Sequence, residues 1–157
     1  MFKDIFLFEL KYRFSRPATY IYFVLLFIIP FLVFGLGNTP ASEKVYHNSP
    51  AVIANFMVLI SILGILIASA VMGVPLYRDL EHKTGNFLFS YPFSTTSYFM
   101  GRFWGSFTTL AFISLGALTG VFLGSLLGPV LGTDPDRYGT DQLLNYFQPW
   151  AFFLLSN

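Results

Sequence analysis

Cysteine is absent from the 157 residues, which excludes disulfides, thiolate metal sites and cysteine nucleophiles together. Charge is scarce. Lys, Arg, Asp and Glu make up 11% of the chain, against about 25% in an ordinary soluble domain. Histidine occurs only at His47 and His82, in two separate loops, and no His-Glu-x-x-His helix exists to hold zinc. A lone loop histidine is expected to be solvated. No glycine-rich loop ending in Lys-Ser or Lys-Thr occurs, so nucleotide is not bound through that motif and the chain carries no motor of its own. The net charge of +1 gives no sign of a nucleic-acid partner. Asp134-Pro135-Asp136 followed by Gly139 resembles part of a calcium loop, but Tyr138 and Asn145 stand where acidic ligands are needed. It reads instead as a helix-capping turn. Neither a cofactor nor a metal is implied.

What the chain has is long apolar runs. It is 55% hydrophobic with a mean hydropathy of +0.64, and residues 51–76 and 103–131 contain no charged side chain. Each run exceeds the roughly 20 residues that cross a hydrocarbon core. Inside lipid every backbone amide needs a partner within its own element, and continuous rather than alternating apolarity selects helices over a barrel. The sequence therefore predicts an all-α integral membrane protein. A first span is expected over 20–36, a second over 51–76 and a third over 103–131. A signal peptide is the competing reading of the first. Tyr146–Asn157 turns apolar again but is too short to cross, as expected for the start of a fourth helix in a fragment of a larger protein.

Before the first span, residues 1–16 mix Phe2, Ile5, Phe6, Leu7, Leu10 and Phe14 with Lys3, Asp4, Lys11, Arg13 and Arg16. Wound as a helix, the segment is imperfectly amphipathic, with Glu9 one turn before Arg13. It fits either a helix in the membrane interface or a plain basic flank. Lys3, Lys11, Arg13 and Arg16 precede the first span, and Arg78, Lys83 and Arg102 lie in or beside the segment 77–98. The other two connections hold only Lys44 and Arg137. By the excess of basic residues in cytoplasmic loops, the N terminus and 77–98 are expected inside.

In the third span Gly116, Gly120, Gly124, Gly128 and Gly132 recur every fourth residue, preceded by Gly101 and Gly105. Such a stripe lets helices approach closely in lipid. It suits packing against the first two spans or against another subunit. The spans contain no acid or base to activate their serines or to relay protons. If a substrate is moved, its energy enters from outside the membrane, and the polar hairpin 77–98 is the charged surface placed to receive it.

At this hairpin, Leu76-Tyr77-Arg78-Asp79-Leu80-Glu81, Thr84, Ser90-Tyr91-Pro92, Ser97-Tyr98 and Gly101-Arg102 resemble the permease subunits of exporter-type ABC transporters. Phe8-Glu9-Leu10-Lys11-Tyr12-Arg13 with Arg16-Pro17-Ala18-Thr19-Tyr20 is similar to their interfacial elbow helix. The sequence further resembles the permease part of Bacteroidota proteins that join an ABC permease to an aminopeptidase, although no peptidase motif is present. The resemblance implies the N-terminal part of a six-helix permease in a bacterial inner membrane. Its partners would be a separate P-loop ATPase, a second permease copy or half, and membrane lipid. It also implies that Arg78, Asp79, Glu81 and Thr84 contact or orient the ATPase. A passive structural or assembly subunit is the alternative, and it needs no ATPase.

Overall fold

The computed structural model describes residues 2–42, 44–81, 95–131 and 134–157, with the backbone alone at 74–76, 78–81 and 95. Five α-helices follow in order: α1 (Phe2–Phe14), α2 (Pro17–Gly35), α3 (Pro50–Glu81), α4 (Thr95–Leu131) and α5 (Leu143–Ser156), with a 3-10 turn at Pro135–Arg137 between the last two. The fold is 83% helix with no strand among the described residues. Three helices, α2, α3 and α4, are long and apolar enough to cross a membrane.

Local chemistry sets the helix ends. Arg16 is extended (φ −91°, ψ 128°), as a residue before proline must be, and Pro17 opens α2 where its missing N–H costs nothing. At the other end Gly37 takes φ 73° and the Asn38 amide reaches back to the Val33 carbonyl at 3.0 Å, closing α2 in a Schellman turn. Ser49 caps α3, accepting the Val52 amide on its hydroxyl at 3.4 Å, and Pro50 follows at the first helical position.

Both long helices outrun their apolar segments. The 32 residues of α3 extend about 48 Å and the 37 of α4 about 55 Å, against a hydrocarbon core of about 30 Å. The polar residues Arg78, Asp79 and Glu81, expected in a hairpin, form the last turn of α3. Likewise α4 begins at Thr95, eight residues before its charge-free run. Residues 82–94, which include Thr84, lie outside the described residues.

α4 is the spine. Along one side it meets α1 and then α2, both running in its own direction. A Cβ on Gly101 would stand 2.9 Å from the Ile5 side chain, on Gly105 2.8 Å from Glu9, on Gly116 2.5 Å from the Phe23 carbonyl oxygen and on Gly124 2.8 Å from that of Phe31. Gly120 faces the Phe27 carbonyl in the same way. The glycine stripe is thus filled by this chain's own first two helices, with Phe14, Tyr20 and Phe23 gathered around Phe112 between them. Gly128, at the far end, meets the Tyr138 ring, and Gly132 is outside the described residues. On the other side α3 and α5 close the bundle around Phe34, Ile53, Ile113, Ala117 and Val121, each fully buried. Trp150 of α5 donates from Nε1 to the Ser114 carbonyl at 3.1 Å.

Candidate functional site

At the end of the bundle that holds the N terminus, here the near end, Glu9 and Arg13 are 1% and 6% exposed. Arg13 Nε donates to Glu9 Oε1 at 3.1 Å, Nη1 to the Val71 carbonyl of α3 at 2.8 Å, and Nη2 to Ser106 Oγ of α4 at 2.7 Å. One guanidinium therefore ties three helices. The fork geometry explains the choice of Arg over Lys, which offers no fixed planar set of donors. The Val71 carbonyl needs such a donor because its partner in a regular helix is the amide of residue 75, and Pro75 has none. Thr19 Oγ1, on the first turn of α2, donates to the Arg13 carbonyl at 2.8 Å and fastens the α1–α2 turn to the same point.

The orientation of α1 departs from a simple amphipathic reading. Its protein-facing side carries Glu9 and Arg13, while Leu7 and Phe8, 60% and 62% exposed, face outward. A polar pair inside and apolar residues outside is what a helix shows when its outer surroundings are apolar and its inner neighbours supply hydrogen bonds. The Val71 contact lies six residues of α3 before Tyr77, and the Ser106 contact eight residues of α4 after Tyr98, each about two turns. Arg13 ties the later part of α3 to the early part of α4, ten residues before the last residue of α3 and eleven after the first of α4. Arg78, Asp79 and Glu81 share the last helical turn of α3, seven to ten residues beyond Val71, their side chains outside the described residues.

A second polar cluster closes the far end. His47, expected in solvent, is 2% exposed: its amide donates to the Arg137 carbonyl at 2.9 Å, its Nδ1 lies 2.5 Å from Thr39 Oγ1, and its ring packs 5.1 Å from that of Tyr138. Burial and the neighbouring Arg137 charge lower its pKa below the ordinary imidazole value. Asn48 binds both backbone polar groups of one residue of the other loop, donating to the Gly139 carbonyl at 2.7 Å and accepting the Gly139 amide at 2.8 Å, and it also donates to Asp141 at 2.9 Å. Tyr146 donates to the same Asp141 oxygen. Tyr138 donates to the Phe34 carbonyl at 2.6 Å, and burial raises its pKa. The segment 134–137, read from sequence as a capping turn, is a single 3-10 turn in which Asp134 makes no side-chain cap. Its role falls to Arg137, which donates to the Ser42 and Val45 carbonyls and locks the two loops together.

Among the described residues no three of His, Asp and Glu come together, and the Arg13 network is a set of satisfied hydrogen bonds. The sequence gives a hint of that network in two places, the Glu9–Arg13 spacing and a proline inside α3. It offers no hint that Ser106 completes it. No protein-family model matches this chain, and neither does any curated protein or solved structure.

Proposed function

We propose that this chain is a membrane-spanning permease subunit of an ATP-driven exporter, integral to a bacterial inner membrane with its N terminus in the cytoplasm. ATP hydrolysis belongs to a separate P-loop ATPase that docks on the hairpin through Arg78, Asp79, Glu81 and Thr84. The observation that supports this most is the Arg13 network. It joins α3 at Val71 and α4 at Ser106, the helices that lead into and out of the proposed hairpin, to α1 and through the Arg13 carbonyl to the first turn of α2. A hairpin pushed by closing ATPases then moves a braced set of helices together, tilting spans rather than bending a loop. Charge pairs across the hairpin contact supply partner choice more than binding strength.

The absence of cysteine makes the test direct. A single cysteine at Thr84 carrying a short photocrosslinker should capture a P-loop ATPase in native membranes. In the full-length transporter, replacing Arg78 and Glu81 together should leave ATP hydrolysis running without transport. Capture of lipid or other membrane helices alone, by a chain shown to be folded, assigns it instead to a structural or assembly role.

A further inference from the structure

Where α1 gives way to α2 the chain turns at Ser15 and Arg16, and a cleft of about 150 Å³ opens between this turn and α3. Its polar side carries Tyr12, Arg13, Arg16 and Tyr22, two guanidinium groups with no carboxylate in the lining. Arg13 is engaged with Glu9 inside the protein. Arg16 is exposed, its Nη2 donates to the Tyr12 hydroxyl, and its guanidinium carbon stands 4.6 Å over the Tyr12 ring. Among the described residues no carboxylate pairs with it. The rest of the lining is uncharged, with Ala18 and Thr19 from α2 and the apolar Ala70 and Val71 from α3.

Depth fixes what can reach this cleft. The 19 residues of α2 extend about 28 Å, close to the roughly 30 Å of a hydrocarbon core, so the turn before Pro17 lies at the level of the lipid headgroups. We infer that the cleft seats the phosphodiester of an anionic phospholipid, with Arg16 as its principal ligand and the acyl chains running down past Ala70. Guanidinium suits this task, being planar, permanently charged, weakly hydrated and matched in its donor spacing to two phosphate oxygens. Basic pockets between membrane helices bind such headgroups. The cation–ring contact with Tyr12 restricts Arg16 beforehand, which lowers the ordering cost of binding. A lipid held there touches α1, α2 and α3 at once, beside the junction that Arg13 makes from within. The site requires that the apolar helices lie in a bilayer and uses nothing of the exporter reading, so the two stand or fall separately.

The test uses the whole chain, purified and placed in phosphatidylcholine nanodiscs with or without added phosphatidylglycerol. Native mass spectrometry then reads the lipid retained after release from the disc. Phosphatidylglycerol should be retained over phosphatidylcholine, and Arg16→Gln should lower that retention about fivefold. Arg16→Lys, which keeps the charge and loses the fork, should fall between. Lys11→Gln, an exposed basic residue of α1 outside the cleft, should leave retention unchanged, and circular dichroism should show all variants equally helical. Equal losses from Arg16→Gln and Lys11→Gln, or no preference for phosphatidylglycerol in the parent chain, overturn the site. If inorganic phosphate displaces the lipid and by itself raises the unfolding temperature through Arg16, the ligand is a free phosphate and the lipid assignment is overturned.

Discussion

Arg13 of α1 donates to the carbonyl of Val71 on α3 at 2.8 Å, taking the place of the amide that Pro75 lacks. Helix-breaking proline and buried arginine, each costly alone, resolve each other here. Removing either partner of a buried ion pair commonly costs about 3–5 kcal/mol, and loss of Arg13 would take from Glu9 its buried guanidinium and from the Val71 carbonyl its donor. Arg13→Ala should therefore destabilise the protein by that order, read as unfolding in detergent. Pro75→Ala restores an amide at the right place and should recover part of the loss. Equal effects of Arg13→Ala with and without Pro75→Ala would show that the Val71 contact contributes nothing.

The glycines of α3 and α4 should respond in opposite ways to the same substitution. A Cβ on Gly116 would come 2.5 Å from the Phe23 carbonyl oxygen, which belongs to backbone and has little room to shift. Gly116→Ala should cost about 1–3 kcal/mol by forcing α2 and α4 apart. Gly73 has open space around its position, so Gly73→Ala should be neutral or stabilising by up to about 1 kcal/mol through helix propensity. Thermal unfolding of the two variants side by side makes the comparison.

Acid should loosen the far end. His47 has its folded pKa lowered from 6.5, so the unfolded state binds the proton more readily than the folded one. The stability that neutral His47 contributes is then fully present above pH 6.5, and it is lost as pH falls below that value toward the depressed folded pKa. Hydrogen exchange of the amides in 38–49 and 134–142 should quicken on going from about pH 8 to about pH 5, once corrected for the intrinsic rate. His47→Gln should abolish this dependence. A parent chain whose corrected rates stay flat would remove His47 from that role.

Asn48 should matter more than its exposed neighbours. Asn48→Ala strands the Gly139 amide and carbonyl together, and should cost about 1–3 kcal/mol. Tyr138→Phe removes a single bond to Phe34 while keeping the ring over Gly128, and should cost about 0.5–1.5 kcal/mol. Reversal of that order would mean the ring, not the loop-to-loop bonding, holds the cap.

Hydropathy made the three apolar helices legible because absence of charge over 20 or more residues records the solvent around a segment. It does not record where the backbone stops winding. That is why α3 runs on through Arg78 to Glu81 and α4 starts at Thr95, with charge returning while the helix continues. The buried residues that matter most were opaque for another reason. Arg13 finds its acceptors 58 and 93 residues away, and His47 is enclosed only when 134–142 folds over it. Polar residues at the ends of apolar runs look solvated until the distant segment that covers them is known. The period of the glycines pointed to a helix contact, and the fold puts α2 in it.

The distances in sequence along the Arg13 network also order events in time. During synthesis α1 emerges first, with Glu9 and Arg13 able to neutralise each other across one helical turn. Val71 arrives 58 residues later and Ser106 another 35 after that. Until α4 has been made, the first helix is held by its own turn, the start of α2 and the one bond to Val71, without the contacts that α4 supplies through Ser106 and its glycines. The last described span to be made is therefore the one that fixes the first segment in place, and a ribosome stalled before Ser106 leaves an N-terminal helix still open to proteases.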